Sequence, residues 1–400
     1  MPALRVADVS DRYRRRNLVP GILGRRMTTL QIRPLEPAPG STVDFGAEIA
    51  ACDLVQLSDA DFEALVRAVL THHVVVVRGQ ASLTPQQQYE LTRRFDPTVQ
   101  TYGHGHDKEL LKKSVLVQDL ISIPNVPQVQ LIGNGFVENH QGVAEATLRH
   151  PTHQTFHQQP LSQAQEQQDF TRFYRWHIDA ALYKLQPPKV TTLLALEVPE
   201  NRPQTVLYDD GSGDTLQVPL GATAFVSGAR AFRDLSPEQQ ALALRTSVRY
   251  APHPYVWIKQ ARANPTGLGL VSEGKELPRN ALPPYQAEEV VTLPLVWQNP
   301  VTGELALQAH ACCVEQLVID GVALTELTEC RRIIYELMRP GIAPTKVYAH
   351  PWQAGDLVIF NNRGVWHSVV GALTPADRRV YHQCNLASNE PPRGPTALAS

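Results

Sequence analysis

The alternation of apolar and polar residues predicts a chain in which strands and helices are interleaved. Ser58-Asp-Ala-Asp61 and Thr84-Pro-Gln-Gln87 each precede apolar residues at helical spacing, which predicts two capped helices. Between them, His72–Val77 is rich in β-branched residues and predicts a strand buried on both faces. We predict further strands at Gln31–Leu35, Val190–Val198, Thr205–Tyr208, Thr215–Val218 and Val291–Trp297, and further helices at Ser236–Ser247 and Glu326–Met338.

Two other segments carry polar side chains on a single strand face. Because side chains alternate along a strand, Arg379–Asn385 has one polar face, formed by Arg379, Tyr381, Gln383 and Asn385. The segment Gln128–Asn134 has a second such face, formed by Gln128, Gln130, Ile132 and Asn134. Amides on a strand face are usually solvated, but around a cavity they form a row of donors and acceptors for a polar ligand.

His177-Ile-Asp179 lies at the centre of the aromatic stretch Phe173–Tyr183. If this stretch is a strand, His177 and Asp179 point the same way and can meet one ion. His367, which lies on a short predicted strand near the far end of the chain, would add a second imidazole. Two histidines and one carboxylate are the ligand set of non-heme Fe(II) oxygenases. A nearby histidine and carboxylate can also simply be hydrogen-bonded, so the pair alone does not establish a metal site.

Arg379 follows His367 by twelve residues and lies on the polar strand face. A guanidinium binds a carboxylate through two parallel hydrogen bonds and stays charged at every relevant pH. Left without an anion in a dry pocket it would cost roughly 3–5 kcal/mol. Beside a metal site, Arg379 therefore indicates an anionic ligand, although taken alone it could equally be a surface arginine.

Two further motifs invite a metal interpretation. Histidines are clustered in two places, at His104 and His106 and at His150, His153 and His157. Pro151 interrupts the helical spacing of the second cluster and no cysteine is near, so we interpret these residues as surface or loop histidines rather than a zinc site. The acidic segment Asp209–Asp214 lacks the EF-hand spacing and is better interpreted as a hairpin turn.

Composition narrows the class of protein. The chain has 400 residues, 43% of them apolar, which is enough for a large core. A net charge of −2 argues against a nucleic-acid partner, and no apolar run approaches the ~18 residues of a membrane-spanning helix. Five cysteines without a C-x-x-C motif predict reduced thiols in a cytoplasmic protein. The oligomeric state is left open.

The first 26 residues differ from the remainder, because they carry seven arginines and only two acidic residues. This composition fits either an organelle transit peptide or a disordered extension, and we favour the extension. We predict one domain over residues 27–400, with an insertion at about 230–350, because the candidate chemistry lies on both sides of that block.

Several motifs together resemble the taurine dioxygenase superfamily: Phe45-Gly-Ala-Glu-Ile49, Val76-Val-Arg-Gly-Gln80, Leu83-Thr-Pro, His177-Ile-Asp179, Gly355-Asp-Leu-Val-Ile, and His367 with Arg379. The resemblance is closer still to the fungal xanthine dioxygenases, through Phe173–Tyr183, Gln130–Gly135, Thr266–Gly274, Gly364–Gly371 and Gln383–Ser388. It covers about residues 29–390 and implies a mixed α+β fold with a double-stranded β-helix (jelly-roll) core, flanking helices and a large insertion.

The resemblance also implies a reaction. His177, Asp179 and His367 would hold Fe(II), and 2-oxoglutarate would chelate the iron while its C5 carboxylate meets Arg379 and Thr205. With O2, the enzyme would convert xanthine to urate and release succinate and CO2. A purine dione is polar at nearly every edge, so we expect it to be recognised by side-chain amides and charged groups, namely Gln383, Asn385, Gln130, Asn134, Arg149 and Glu166.

Two alternatives remain at this stage. The same chemistry could act on a sulfonate or an aryloxy acid, which would require a cationic group beside the metal in place of the amides Gln383 and Asn385. A jelly-roll protein could also bind a metal without turning over 2-oxoglutarate. Arg379 argues against the second alternative, because a protein that only binds a metal needs no arginine for a co-substrate.

Overall fold

The computed structural model describes residues 29–50, 52–116, 121–200 and 202–395. The arginine-rich extension predicted for residues 1–26 lies outside these ranges. Within them, every helix is too short or too polar to cross a membrane.

The described chain contains short helices and many strands. The helices are α1 (Asp59–His72), α2 (Pro85–Arg94), α3 (Lys108–Lys112), α4 (His153–Phe156), α5 (Gln163–Glu166), α6 (Gly228–Arg233), α7 (Pro237–Leu244), α8 (Pro254–Trp257) and α9 (Leu327–Met338). The strands are β1 (Ile32–Pro34), β2 (Ala47–Ile49), β3 (Val74–Val77), β4 (Ser122–Ile123), β5 (Val126–His140), β6 (Val143–Leu148), β7 (Phe170–Thr171), β8 (Val190–Glu197), β9 (Pro203–Leu207), β10 (Thr215–Pro219), β11 (Thr223–Ser227), β12 (Thr246–Tyr250), β13 (Thr292–Pro294), β14 (Val296–Gln298), β15 (Leu305–Leu307), β16 (Val314–Ile319), β17 (Val322–Leu324), β18 (Tyr348–His350), β19 (Leu357–Asn361), β20 (Val365–Val369) and β21 (Arg379–Asn385). Single 3₁₀ turns occupy Arg279–Ala281, Ala287–Glu289, Ala311–Cys313, Arg339–Ile342 and Pro344–Lys346.

Two sheets frame the interior. The larger has the order β1-β2-β3-β19-β8-β21-β5-β4, with β6 paired to β5, and the smaller has the order β18-β11-β20. Within the larger sheet, β21 lies between β8 and β5 and is antiparallel to both. In the smaller sheet, β11 pairs with β20 so that Phe225 faces His367. A backbone bridge between His177 and His367 connects the aromatic stretch to β20.

Strand β3 shows how the larger sheet is packed. Val74 and Val76 point to the interior with Phe225 and Phe360. Val75 and Val77 point outward, where they pack with Leu65 of α1 and its apolar neighbours. Burial on both faces explains the unbroken β-branched run and confirms the predicted strand over Val74–Val77, whereas His72, the first predicted residue, ends α1.

The block at 230–350 leaves the smaller sheet and returns to it. The chain between β11 and β18, two adjacent strands, forms its own sheet of order β13-β12-β16-β17. Its apolar residues belong to the same core cluster as Trp176 and Ile178, on either side of His177. The block thus lies between two paired strands of the smaller sheet, and its interpretation as an insertion within one domain stays a prediction.

Most predicted elements are confirmed, with two corrections. Helices α1, α2, α7 and α9 begin where the capping residues Ser58, Thr84, Ser236 and Glu326 place them. The predicted strand Val291–Trp297 is instead divided, because Leu295 separates β13 from β14. The stretch Phe173–Tyr183 is not a regular strand, since its backbone bonds in turn to Val369, Gly267 and His367 instead of to one neighbour.

The second histidine cluster, which we expected at the surface or in a loop, is buried. His150, His153 and His157 have exposed fractions of 7%, 1% and 3%. His157 shares a hydrogen bond through Nε2 with the carbonyl of Tyr174 at 2.9 Å. Burial lowers the pKa of His150 and His153 to about 3 and that of His157 to about 4.

These buried histidines predict steep loss of stability in acid. Above the ordinary pKa of about 6.5 they are neutral in both states, so their full contribution is present. As the pH falls toward 4, these histidines bind protons in the unfolded chain but not in the folded chain. The free energy of unfolding therefore falls by about 1.4 kcal/mol per pH unit for each histidine. Urea unfolding at pH 7, 5.5 and 4.5 measures this loss. His157→Gln should remove about one proton from the slope, and an unchanged slope would contradict the assignment.

Candidate active site

The side chains of His177, Asp179 and His367 converge inside the larger and smaller sheets. Asp179 Oδ1 lies 3.8 Å from His177 Nε2 and 3.6 Å from His367 Nε2. One ligand atom from each residue lies within 4.8 Å of the others. One small ion could bridge these atoms through bonds near 2 Å with small side-chain adjustments. Among the described residues, these three form the one group of histidine, cysteine, aspartate or glutamate side chains that could hold a metal ion together.

Neighbouring groups fix how the three side chains present their atoms. His177 Nδ1 lies 2.9 Å from the carbonyl of Arg175, a contact in which the ring donates and Nε2 keeps its lone pair. Asp179 Oδ2 accepts a hydrogen bond of 2.5 Å from the Thr191 hydroxyl, which leaves Oδ1 for the histidines. Asn362 clasps the backbone of Asp179, accepting from its amide at 2.8 Å and donating to its carbonyl at 2.7 Å.

The electrostatics favour neutral imidazoles. Burial, together with the other ring and with Arg175, holds the pKa of His177 well below its ordinary value. Burial lowers the pKa of His367 to about 3. Metal binding requires a free lone pair on each ring, so both rings are in the required protonation state across the neutral range.

Arg379 enters the same interior from the start of β21. Its side chain is 1% exposed, and its guanidinium carbon lies 3.8 Å from the centre of the Tyr381 ring. Across the described chain, no hydrogen-bond acceptor reaches its Nε or Nη2. Burial lowers the pKa of this guanidinium, a penalty that a bound carboxylate would relieve. Gly133 on β5 allows the close approach, since a Cβ there would lie 1.8 Å from the Arg379 carbonyl oxygen.

A cavity of about 90 Å³ contains these groups. Its charged and polar lining residues are Tyr102, His104, Arg149, Tyr174, Arg175, His177, Asp179, Thr223, His367, Arg379 and Gln383. A second cavity of about 350 Å³ adjoins it across His104 and Leu116. The first cavity therefore joins a candidate metal site to an unpaired cation and a side-chain amide.

The family model described as taurine catabolism dioxygenase TauD, TfdA family matches residues 31–385. The chain belongs to this family. It is 53% identical to the α-ketoglutarate-dependent xanthine dioxygenase xanA of Emericella nidulans, over 91% of this chain and 98% of that protein. It is 49% identical to the α-ketoglutarate-dependent xanthine dioxygenase xan1 of Schizosaccharomyces pombe, over 92% of this chain and 90% of that protein.

A solved structure supports the family fold. The taurine dioxygenase from Burkholderia xenovorans aligns with a TM-score of 0.55 and 19% identity, over 92% of this chain and 93% of that one. The TauD/TfdA fold thus accounts for nearly the whole described chain.

In this TauD/TfdA family member, the threonine near Arg379 is not the predicted one. Thr205 lies on β9, which pairs with β10 and β7 in a separate three-stranded sheet, and it does not line the cavity. Thr223, at the start of β11, lines the cavity together with Arg379. Its hydroxyl accepts a hydrogen bond of 3.2 Å from the Trp352 indole. Thr223 replaces Thr205 as the candidate.

Of the four predicted amides, the structure brings only Gln383 to the cavity. Gln130 instead donates to the Pro127 carbonyl at 2.9 Å. Asn134 donates to the carbonyls of a loop, Thr374 and Asp377, each at 2.8 Å. Asn385 accepts a hydrogen bond from the Gly103 amide at 3.1 Å and does not line the cavity. These amides share strands with the site but satisfy backbone groups.

The two remaining substrate candidates divide in the same way. Arg149 lines the cavity and is exposed. Glu166 lies on α5 away from the cavity, where it accepts a hydrogen bond of 3.1 Å from Gln154. Its carboxylate lies 3.3 Å from the buried His153 ring.

Sequence reasoning missed four further residues near the site. Arg175 lies two residues before His177, so the alternation that paired His177 with Asp179 also pointed to it. His104, which we expected at the surface or in a loop, lines the cavity, and burial lowers its pKa to about 4. Thr191 and Asn362 gave no local signal, because their roles arise from contacts made across the fold.

Proposed function

We propose that the protein is an Fe(II)- and 2-oxoglutarate-dependent dioxygenase that converts xanthine to urate by oxygenation at C8, with release of succinate and CO2. The observation that carries the proposal is the single cavity that contains His177, Asp179, His367 and an unpaired Arg379. The substrate is inferred from relatives at 49% and 53% identity, which are named α-ketoglutarate-dependent xanthine dioxygenases.

The residues present fit an iron ion. Two neutral imidazoles and one carboxylate form a compact donor set that lacks thiolates, which suits Fe(II) and leaves further coordination positions open. His177, Asp179 and His367 would hold the ion, with Thr191 orienting the carboxylate. Iron, 2-oxoglutarate and O2 together supply the oxidation, in which one oxygen atom enters the purine and the other enters succinate.

The remaining residues bind and orient. Arg379 would receive the C5 carboxylate of 2-oxoglutarate on its unpaired Nε and Nη2, because no other acceptor in the described chain reaches them. Thr223 also lines this cavity and would add a hydroxyl. The apolar walls, which include Leu193, Phe360 and Val369, would limit water around the reacting groups.

The architecture that we infer is the double-stranded β-helix predicted from the resemblance. Two facing sheets carry the site, with the ligand His367 on the smaller and Arg379 on the larger. Residues 27–400 would form one domain, with 230–350 inserted between neighbouring strands. We place the protein in the cytoplasm, where its five free cysteines would remain reduced.

Urate formation tests the proposal. The purified protein should convert xanthine to urate only when Fe(II), 2-oxoglutarate and O2 are all supplied, with one succinate released per urate. Replacing xanthine by taurine or an aryloxy acid should give no substrate-dependent oxygen uptake, and preferential turnover of either would establish the alternative substrate. Anaerobic addition of Fe(II) and 2-oxoglutarate should produce a visible charge-transfer absorption, whose absence would favour a binding protein without turnover.

Gln383→Ala is expected to weaken the use of xanthine by about 10-fold in kcat/KM while changing the half-saturating 2-oxoglutarate concentration by less than twofold. The reason is that Gln383 is the cavity-lining amide and lies away from the guanidinium of Arg379 on β21. Gln130→Ala is the matched control, because Gln130 pairs directly with Gln383 but does not line the cavity. Equal effects on both substrates would remove Gln383 from this role.

A further inference from the structure

Arg175 is a buried cation that has no role in the proposed function. Its side chain lines the cavity beside His177 and Asp179, and the residue is 4% exposed. Within the described ranges, no acceptor reaches its Nε or Nη1, and no carboxylate lies within ion-pair distance. Its backbone, by contrast, is fixed, since its amide donates to the Ser368 hydroxyl at 3.1 Å. The main chain is anchored while the charged end lacks a partner.

Aromatic rings surround the guanidinium without neutralising it. The Arg175 Cζ atom lies 5.3 Å from the centre of the Tyr174 ring, 5.5 Å from that of Tyr255 and 5.6 Å from that of Phe156. The Tyr255 hydroxyl is already committed to the Ala180 carbonyl, at 2.7 Å. Ring faces attract a cation but offer its N–H groups no in-plane acceptor. The three aromatic rings therefore hold the Arg175 side chain in place and leave its Nε and Nη1 donors for a ligand.

The charges around the cavity leave a positive excess. Among the described residues that line it, Asp179 is the one carboxylate, whereas Arg175 and Arg379 are both buried cations. Arg149 adds a third, exposed positive charge. An Fe(II) ion and a 2-oxoglutarate dianion cancel each other, so the loaded cavity would still favour a further negative charge. Arg379 is accounted for by the co-substrate, and Arg175 is not.

We propose that Arg175 binds the anionic oxygen edge of the substrate and selects a planar oxopurine in its mono-anionic form. This inference rests on the proposed function and adds the ionic state of the ligand and the residue that reads it. Xanthine and its product urate both lose a ring proton near neutral pH, which spreads negative charge onto their carbonyl oxygens. A guanidinium fork donates to such an edge through two parallel hydrogen bonds.

Anaerobic binding measures the proposal without turnover. Equilibrium dialysis of xanthine against the protein loaded with Fe(II) and 2-oxoglutarate should show at least about 10-fold weaker binding for Arg175→Gln. Arg175→Lys keeps the charge but loses the fork, so its xanthine affinity should lie between that of the unaltered protein and that of Arg175→Gln. The 2-oxoglutarate affinity, read from the charge-transfer absorption, should change less than twofold. Urate, an anion at neutral pH, should lose affinity in Arg175→Gln, whereas the neutral oxopurine hypoxanthine should be little affected.

Arg172→Gln is the matched control. Arg172 lies three residues upstream and is also buried, but it pairs with Asp209 at 2.7 Å and does not line the cavity. Its replacement should leave xanthine affinity unchanged. Should Arg175→Gln fail to fold, as judged by circular dichroism and gel filtration, the Arg175→Lys comparison of urate with hypoxanthine carries the same test.

Three results would overturn the inference. Xanthine affinity could be unchanged in Arg175→Gln, urate and hypoxanthine could weaken equally, or 2-oxoglutarate affinity could fall in place of xanthine affinity. Each is distinct from failure of the proposed function, which would appear as the absence of urate formation by the unaltered protein.

Discussion

Asp179→Ala is expected to abolish the conversion of xanthine to urate and to release iron. The substitution removes the carboxylate to which both His177 and His367 point, at 3.8 and 3.6 Å. Loss of a direct ligand should exceed the ~10–100-fold effect typical of an outer hydrogen-bond partner. Iron content after gel filtration and urate formation with excess Fe(II) measure the two effects separately.

Thr191→Val is the graded control for this experiment. It removes the hydroxyl that donates to Asp179 Oδ2 but keeps the ligand itself and the side-chain shape. We expect iron affinity to fall by about 10–100-fold and turnover to recover when Fe(II) is added in excess. If Asp179→Ala kept its iron and its turnover, the assignment of this triad as the metal site would be wrong.

Arg379→Ala is expected to raise the half-saturating concentration of 2-oxoglutarate by about 10²–10³-fold, the effect of truncating one member of a buried charged pair. Its guanidinium is buried with two N–H groups unpaired across the described residues. Titration of the anaerobic charge-transfer absorption with 2-oxoglutarate measures the affinity directly.

Arg378→Ala provides the comparison for that result. Arg378 is the preceding residue, but its exposed side chain pairs with Glu197 at 2.6 Å on the outer side of the strand. Its removal should leave the 2-oxoglutarate requirement within twofold of the original. An unaltered requirement in Arg379→Ala would exclude the proposed role of Arg379.

Strand periodicity accounts for what the sequence could predict. Alternation placed Arg379 and Tyr381 on the inner face of β21 and Val380 and Cys384 in the outer core, and the structure shows that division. The same rule put His177 and Asp179 on one side, even though the segment is not a regular strand. A period of two residues survives such irregularity because it depends on successive backbone units, not on the neighbouring strand.

The errors concern contacts that a period cannot specify. Gln130 and Asn134 belong to the predicted strand, yet the amide of Gln130 donates to a carbonyl of the same strand and the amide of Asn134 donates to carbonyls of a neighbouring loop. Thr205 was chosen from the resemblance, whereas sheet assembly brings Thr223 to the cavity. The burial of His150 likewise depends on how distant segments fold over it. The hydrogen-bond partners and burial of a side chain depend on distant segments of the chain, so local residue spacing does not predict them.

The position of His367 beyond the block that separates β11 from β18 bears on how the protein is made. During synthesis, His177 and Asp179 leave the ribosome long before the second imidazole has been translated. A nascent chain would therefore offer a metal only two of its three ligands, and the strand that brings the third must still pair with β11. If these three residues hold iron as proposed, tight iron capture would be a late event in biogenesis, and the unfinished chain would not hold a redox-active ion before its cavity is closed.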